Sequence, residues 1–322
     1  MVIGWYVHHA GAGHRTRAGV VAAELRRRGH RVVLLGSGLE GPDTVDLTRD
    51  DDGTDVQDPA AGGALHWLPM AHEGTRQRMR LLAAWMTAVQ PAVLVVDVSV
   101  EVTVLARLLG VPTVVVGQPG DRDDEAHRLA YRCATAVLAP WPTDLDPCPV
   151  LREHARKVSA VGGISRWSLG PSDTVARTGP NVVLTGADDP DGEALLTTVR
   201  GGAGGEWVLV GGGRWVEDLA PVLAAAPVVV THAGQNAVAD VAALGAPAVL
   251  VPRPRPHDEQ RFLAEAVGRQ RLCPVLDPGT GGGTAWADAV RTAREGPVLG
   301  ERWGTAAGPV RAADVVEQVG RG

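Results

Sequence analysis

The sequence predicts an α/β protein built of two doubly wound, parallel-sheet halves. Three observations predict it. Short β-branched runs alternate with amphipathic helical stretches throughout the chain, the pattern of repeated strand and helix units. One Phe and two Tyr leave the core to be filled by Val, Leu and Ala, which suits parallel strands buried on both faces. A length of 322 residues is too great for one ordinary core and fits two domains of about 150 residues each.

In the first half, strands are expected over residues 2–7, 31–35, 65–68, 93–97, 113–116 and 136–138. Helices are expected over 15–28, 76–89, 100–109 and 124–132, each followed by Gly, Pro or another break. Residues 41–63, rich in Asp, Gly and Thr and carrying Asp50-Asp51-Asp52, read as a loop. A further strand from Val158 ends in Gly162-Gly163. The interdomain linker is expected near residues 162–172, giving domains 1–162 and 163–322. In the second half, strands are expected over 182–185, 207–210, 228–231, 248–251 and 272–275. Helices are expected over 192–199, 219–225, 236–244, 259–269 and 286–295, and the last helix, 310–319, suits either domain.

Composition narrows the function classes. Hydrophobic residues make up 45% and charged residues 21%, values that suggest neither global disorder nor a membrane bundle. A formal net charge of −6 disfavours nucleic acid or anionic lipid as a partner, because both call for a basic surface. No window approaches the ~18 to 20 apolar residues that span a bilayer. The start is an apolar strand without the features of a signal peptide. Three widely spaced cysteines, Cys133, Cys148 and Cys273, suit neither a disulfide framework nor a zinc site. The expectation is a cytoplasmic protein with a small-molecule partner.

The second half carries the sharper signal. The strand over 228–231 runs into His232-Ala233-Gly234-Gln235-Asn236, a small-residue turn opening a helix at the carboxyl end of a parallel strand. Free backbone N–H groups and the positive end of the helix dipole converge there, so an anion such as phosphate binds. Gly234 lets a ligand approach the backbone, and Asn236 can cap the helix or donate. Asp240 lies one turn beyond Asn236 on the same face, an acceptor-only carboxylate suited to a ribose diol.

The stretch 229–268, reading VVTHAGQNAVADVAALGAPAVLVPRPRPHDEQRFLAEAVG, resembles the donor-binding half of GT-B glycosyltransferases. It is similar to the C-terminal domain of the N-acetylglucosaminyltransferase family that makes the lipid-linked peptidoglycan precursor. The resemblance implies two Rossmann-like domains facing a cleft. It also implies a diphosphate at His232, Ala233, Gly234, Gln235 and Asn236, a ribose at Asp240, and a donor sugar near Asp258, Glu259 and Gln260. Asp240 is shorter than the Glu usual in that family. Arg166, in Gly163-Ile164-Ser165-Arg166, is a candidate phosphate contact. The family has a Gly-rich turn where this chain has Thr185-Gly186-Ala187-Asp188-Asp189. Two aspartates there would repel phosphate, so an ordinary turn is expected.

After the first strand comes His8-His9-Ala10-Gly11-Ala12-Gly13-His14-Arg15-Thr16-Arg17. As a dinucleotide fingerprint it fails. Thr16 replaces the third glycine, and the second strand ends without the acidic residue that holds a ribose. The GxGHxxR form instead resembles the acceptor-side loop of GT-B proteins. A His there is positioned to take a proton from an acceptor hydroxyl, and an imidazole suits that role near neutral pH. His14 is the expected general base and Asp97, at the end of the 93–97 strand, its expected partner. His9, Gly13 and Glu101 are acceptor-side candidates.

Arg26-Arg27-Arg28 reads as a solvated helix end. Arg76, Arg78 and Arg80 read as arginines snorkelling from a packed helix. Together these point to an inverting glycosyltransferase that moves a sugar from a nucleoside diphosphate sugar, UDP-linked, to an acceptor nucleophile, with no cofactor and no metal. A nucleotide-sugar hydrolase and a non-catalytic nucleotide-sugar-binding subunit are the competing readings. The acceptor is unidentified, and a homodimer is left open.

Overall fold

A computed structural model describes residues 1–9, 11–51, 56–167, 176–214, 216–277 and 282–322. Asp52 of the acidic run and residues 168–172 of the expected linker lie outside the described residues. The chain forms two compact units. The first comprises Met1–Pro140, Cys148–Val161 and Pro309–Gly322; the second comprises Trp141–Pro147 and Gly162–Gly308.

The first unit is a seven-stranded sheet of β1 (Val2–Val7), β2 (Arg31–Gly36), β3 (Thr44–Asp46), β4 (Val93–Asp97), β5 (Thr113–Val116), β6 (Ala136–Ala139) and β7 (Val158–Ala160). The order is β3-β2-β1-β4-β5-β6-β7, and every pairing is parallel. Helices Ala12–Arg27, Glu73–Val89, Val100–Leu108 and Glu125–Cys133 return the chain between strands. Ser99 caps the third by accepting from Val102 N–H, and Asp124 caps the fourth by accepting from His127 N–H. Gly4 sits inside β1 because a Cβ there would lie 2.7 Å from Leu94 Cδ1 and 2.8 Å from the Trp85 ring.

The second unit holds a four-stranded parallel sheet of β8 (Asn181–Leu184), β9 (Trp207–Val210), β10 (Val229–Thr231) and β11 (Ala248–Leu250), in the order β11-β10-β8-β9. Its core joins Val183, Val230 and Val249 from the strands to Leu196, Trp207 and Trp286. Both units are thus Rossmann-like α/β layers, with the inner strands buried and the edge strands β3 and β7 partly exposed.

Four expectations need correction. Residues 65–68 are not a strand, because His66 and Trp67 N–H donate to the Glu101 carboxylate at 2.7 and 2.8 Å instead of to a ladder. Strand β3 lies within the stretch read as loop, where Leu34 pairs with Thr44 and Gly36 with Asp46. Residues 272–275 contribute only a single bridge, Leu250 to Val275, since Pro274 has no N–H to extend a ladder. Arg78 does not snorkel. It is wholly buried, donating to Tyr6 Oη at 3.1 Å and Ser37 Oγ at 2.6 Å and facing Asp50 Oδ2 at 3.2 Å.

The final helix, Gly308–Arg321, clusters with the first unit. There Arg28 bonds Asp314 at 2.7 Å and His30 bonds Glu317 at 2.9 Å. Arg28, from the basic cluster, therefore works as an anchor. Among the described residues no helix is long and apolar enough to cross a membrane.

Candidate functional site

In the first unit the register sets the site. Val7 at the end of β1 pairs with Asp97 at the end of β4. After β1 the chain passes Gly11, held at φ +87, and enters the helix Ala12–Arg27. His14 and Arg17 lie one turn apart on it and share a face. His14 Nδ1 lies 3.0 Å from Asp97 Oδ1. Arg17 donates to the same carboxylate, Nη2 to Oδ1 at 2.6 Å and Nε to Oδ2 at 3.1 Å.

Asp97 is 0% and Arg17 2% exposed. Burial alone would push the Asp97 carboxyl up, but the charges of Arg17 and His14 and their hydrogen bonds hold it well below the usual range. A carboxylate only accepts, so the contact with Asp97 is made by His14 Nδ1–H, and Arg17 Nη2 lies 3.2 Å from the same nitrogen. Val98, directly after Asp97, has φ +62, a strained conformation for a β-branched residue.

His8 stacks on His9, with ring centroids 4.7 Å apart, and lies 5.6 Å from the His14 ring. Burial, with the neighbouring imidazoles, pushes His8 down to about 3. His9, Asp50 and Asp51 each bring one potential metal-ligand atom within 4.8 Å of the others. Asp50 also faces Arg78 and Asp51 also pairs with Arg49. Gly13 lies in the first turn of the helix. Glu101 carries a structural load, accepting from His66 and Trp67 N–H and from Ser99 Oγ. Beside the end of β4 a small recess, open to solvent, is lined by Val98, Val100, Val116, Gln118, His127 and Tyr131. The Gln118 amide nitrogen there is buried without a hydrogen-bond partner.

In the second unit β10 lies between β8 and β11, with Thr231 beside Leu184 and Leu250. Helix Gln235–Ala243 begins directly after the turn, and its first N–H groups have no intrahelical acceptor. Gly234 is the N-cap, without a side-chain cap bond. Asn236 therefore sits inside the first turn and does not cap, which leaves donation of the two roles expected for it. Ala233 is buried, and Gln235 opens the helix.

Asp240, 8% exposed, accepts from Ser165 Oγ at 2.7 Å and lies 3.6 Å from Arg166 Nη2. Burial pushes its carboxyl up, only partly offset by Ser165 and Arg166. The Arg166 guanidinium covers the Trp167 ring at 4.3 Å. Gln260 is brought to the turn, since a Cβ on Gly234 would lie 3.9 Å from its Nε2. Its Oε1 accepts from Arg253 N–H at 3.0 Å. Asp258 accepts from Arg261 at 2.7 Å, and Glu259 lies 3.8 Å from Arg255.

A profile of the glycosyltransferase family 28 C-terminal domain matches residues 211–277, which include the turn, Asp240 and Gln260. A relative from Rubrobacter xylanophilus is named UDP-N-acetylglucosamine--N-acetylmuramyl-(pentapeptide) pyrophosphoryl-undecaprenol N-acetylglucosamine transferase. It is 31% identical over 305 residues, covering 80% of this chain and 84% of its own length. The chain belongs to this transferase family. It is a glycosyltransferase of the GT-B fold. The enzyme of the same name from Halorhodospira halophila is 27% identical over 320 residues, covering 83% of this chain and 84% of its own. The crystal structure of the glycotransferase of kitacinnamycin covers 99% of this chain and 98% of its own, with a TM-score of 0.67 at 19% identity.

Three residues that the structure brings against the candidate residues, Arg17, Ser165 and Arg253, were not singled out from the sequence. Arg17 is the last residue of GxGHxxR, and its spacing from His14 was the available signal. Ser165 lies in the segment already quoted for Arg166. Arg253 follows β11 without any local cue. Asp189, expected to repel phosphate, pairs with His232 Nε2 at 3.0 Å and with Arg253.

Proposed function

We propose that the enzyme transfers a sugar, with inversion at the anomeric carbon, from a UDP-linked donor held by the second unit to a hydroxyl of an acceptor held by the first. The relatives' printed names, which specify UDP-N-acetylglucosamine, support the UDP donor. The observation that carries the transfer is the pairing of His14 with the buried Asp97. An imidazole turned by a carboxylate, with Nε2 left as the basic nitrogen, takes the proton of an attacking hydroxyl.

On the donor side, the turn from His232 to Asn236 and the helix it opens stabilise the departing diphosphate, with Arg166 as a further cation. Asp240 accepts from the ribose, and Gln260 with Asp258 and Glu259 contacts the sugar. His9, Gly13 and Glu101 border the acceptor. Direct displacement stabilised by these groups calls on no metal. Full activity in EDTA is the expected result, and complete loss would contradict it.

Incubation with a panel of nucleotide sugars, with and without hydroxyl acceptors, tests the reading by mass spectrometry. The expected result is nucleoside diphosphate released together with glycosylated acceptor. Rapid release of free sugar without any acceptor would make the protein a hydrolase. Binding without turnover would make it a donor-binding subunit.

A further inference from the structure

The loop after β8 has the wrong formal charge for a phosphate site, yet it holds a closed ion-pair network in the second unit. The Asp189 side chain is 4% exposed. Its carboxylate accepts from Asp191 N–H at 3.0 Å, from His232 Nε2 at 3.0 Å and from Arg253 Nη1. Arg253 Nη2 reaches Asp191. The His232 ring is oriented from its other side, Nδ1 donating to Val251 carbonyl oxygen at 2.9 Å. Gly212 and Gly213 N–H donate to Gly186 and Ala187 carbonyl oxygens at 2.9 and 2.7 Å, fixing the loop.

A backbone N–H, an imidazole and a guanidinium converging on one oxyanion are the donor set of a bound phosphate. Here a carboxylate of the chain occupies it. The network also sets two carboxylates against Arg253, so an arriving diphosphate meets no surplus positive charge. Arg253 stands at the turn, because its own N–H is held by Gln260, whose amide lies against Gly234. We propose that Arg253 is a diphosphate-binding residue of the donor site, and that Asp189 is the internal anion which occupies its guanidinium until a donor displaces it. The proposal rests on the donor-site reading above. The exchange is of one oxyanion for another, and the planar fork of arginine matches phosphate as well as carboxylate.

Titration calorimetry of the full chain with UDP, TDP and uridine tests it, on wild type, Arg253→Ala, Arg253→Lys and Asp189→Asn, with circular dichroism confirming that each variant folds. Arg253→Ala is expected to weaken UDP by about 10-fold or more and to leave uridine unchanged. Arg253→Lys, which keeps the charge and loses the fork, is expected to fall between it and wild type. Asp189→Asn is isosteric and is expected to tighten UDP by about 3-fold or more, by removing the competing charge. If wild type binds UDP but Arg253→Ala binds it equally well, Arg253 is a structural cation only and the proposal fails. If Asp189→Asn weakens UDP, Asp189 is a scaffold and not a competitor, and the proposal fails again. If wild type binds neither UDP nor TDP, the donor-site reading itself is wrong.

Discussion

His14 Nδ1 lies 3.0 Å from Asp97 Oδ1, and the same carboxylate is clamped by both Nε and Nη2 of Arg17. An imidazole joined to a buried, charge-balanced carboxylate is held in one orientation, and its free nitrogen stays available to a substrate proton. Asp97 ends β4, and His14 and Arg17 lie on the helix that follows β1, whose register puts Val7 beside Asp97.

Replacing His14 with Ala removes the proposed base without touching the second unit. Turnover should fall by at least ~100-fold while UDP binding by calorimetry stays within about 2-fold of wild type, as general-base loss alone requires. Unchanged turnover would assign the proton transfer elsewhere.

Asp97→Asn leaves the buried Arg17 guanidinium without its counter-charge. Breaking a buried pair in this way costs about 3 to 5 kcal/mol, readable by urea unfolding at neutral pH. Because the Asp97 carboxyl is held below its usual value when folded, its stabilisation is present above the unfolded pKa of about 4. It drains away as pH falls from there towards the lower folded value. Wild type should therefore lose more stability between about pH 4 and pH 2 than Asp97→Asn does. Equal slopes in that range would mean that the pair contributes nothing.

Asp240 shows the opposite shift. Burial raises its carboxyl, and only the ionised form is a full acceptor for a ribose diol. Affinity for UDP-N-acetylglucosamine, whose esterified phosphates do not titrate in this range, should therefore rise with pH, with a midpoint above that of an ordinary Asp. Ser165→Ala removes a donor to the carboxylate and should move that midpoint further up. Asp240→Asn should weaken binding by about 10-fold and lose this pH-dependent step. An unaltered pH profile in Asp240→Asn would remove Asp240 from the ribose.

Gly211 holds φ +96, and a Cβ there would lie 2.4 Å from Thr185 carbonyl oxygen. Gly211→Ala should cost about 2 kcal/mol or more, by differential scanning calorimetry or denaturant melts. Gly201 lies within helix Gly192–Ala203, and a Cβ there meets nothing within 4 Å. Gly201→Ala should leave the fold intact and stabilise it by up to ~1 kcal/mol. The reverse ranking would contradict the loop geometry.

The strands that were legible are those whose residues leave one outcome open. Residues 113–116, Thr-Val-Val-Val, and 207–210, Trp-Val-Leu-Val, form β5 and β9 with the expected bounds, because nearly every side chain in them is buried. Residues 65–68 carry the same apolar character, but the Glu101 carboxylate takes their N–H groups, and nothing local announces a partner 35 residues away. The site divides in the same manner. The turn at His232 and the placement of His14 follow from strand-end turns opening helices, a local signal. Ser165 with Asp240 and Arg253 with Asp189 are 75 and 64 residues apart, and no pattern of spacing joins them. The charge of Asp189 is visible in the sequence, but the arginine that pairs with it is not.

The claim at the centre of the account is a single displacement at the anomeric carbon, with the acceptor proton taken by a base on the first unit. Proton NMR of the purified product, made from an α-linked UDP-sugar and an acceptor from the screen, tests it most directly. A β-configured product, read from the anomeric coupling constant and formed at least ~100-fold more slowly by His14→Ala, is the predicted result. An α-configured product would contradict it, because retention requires a route other than direct attack by the acceptor.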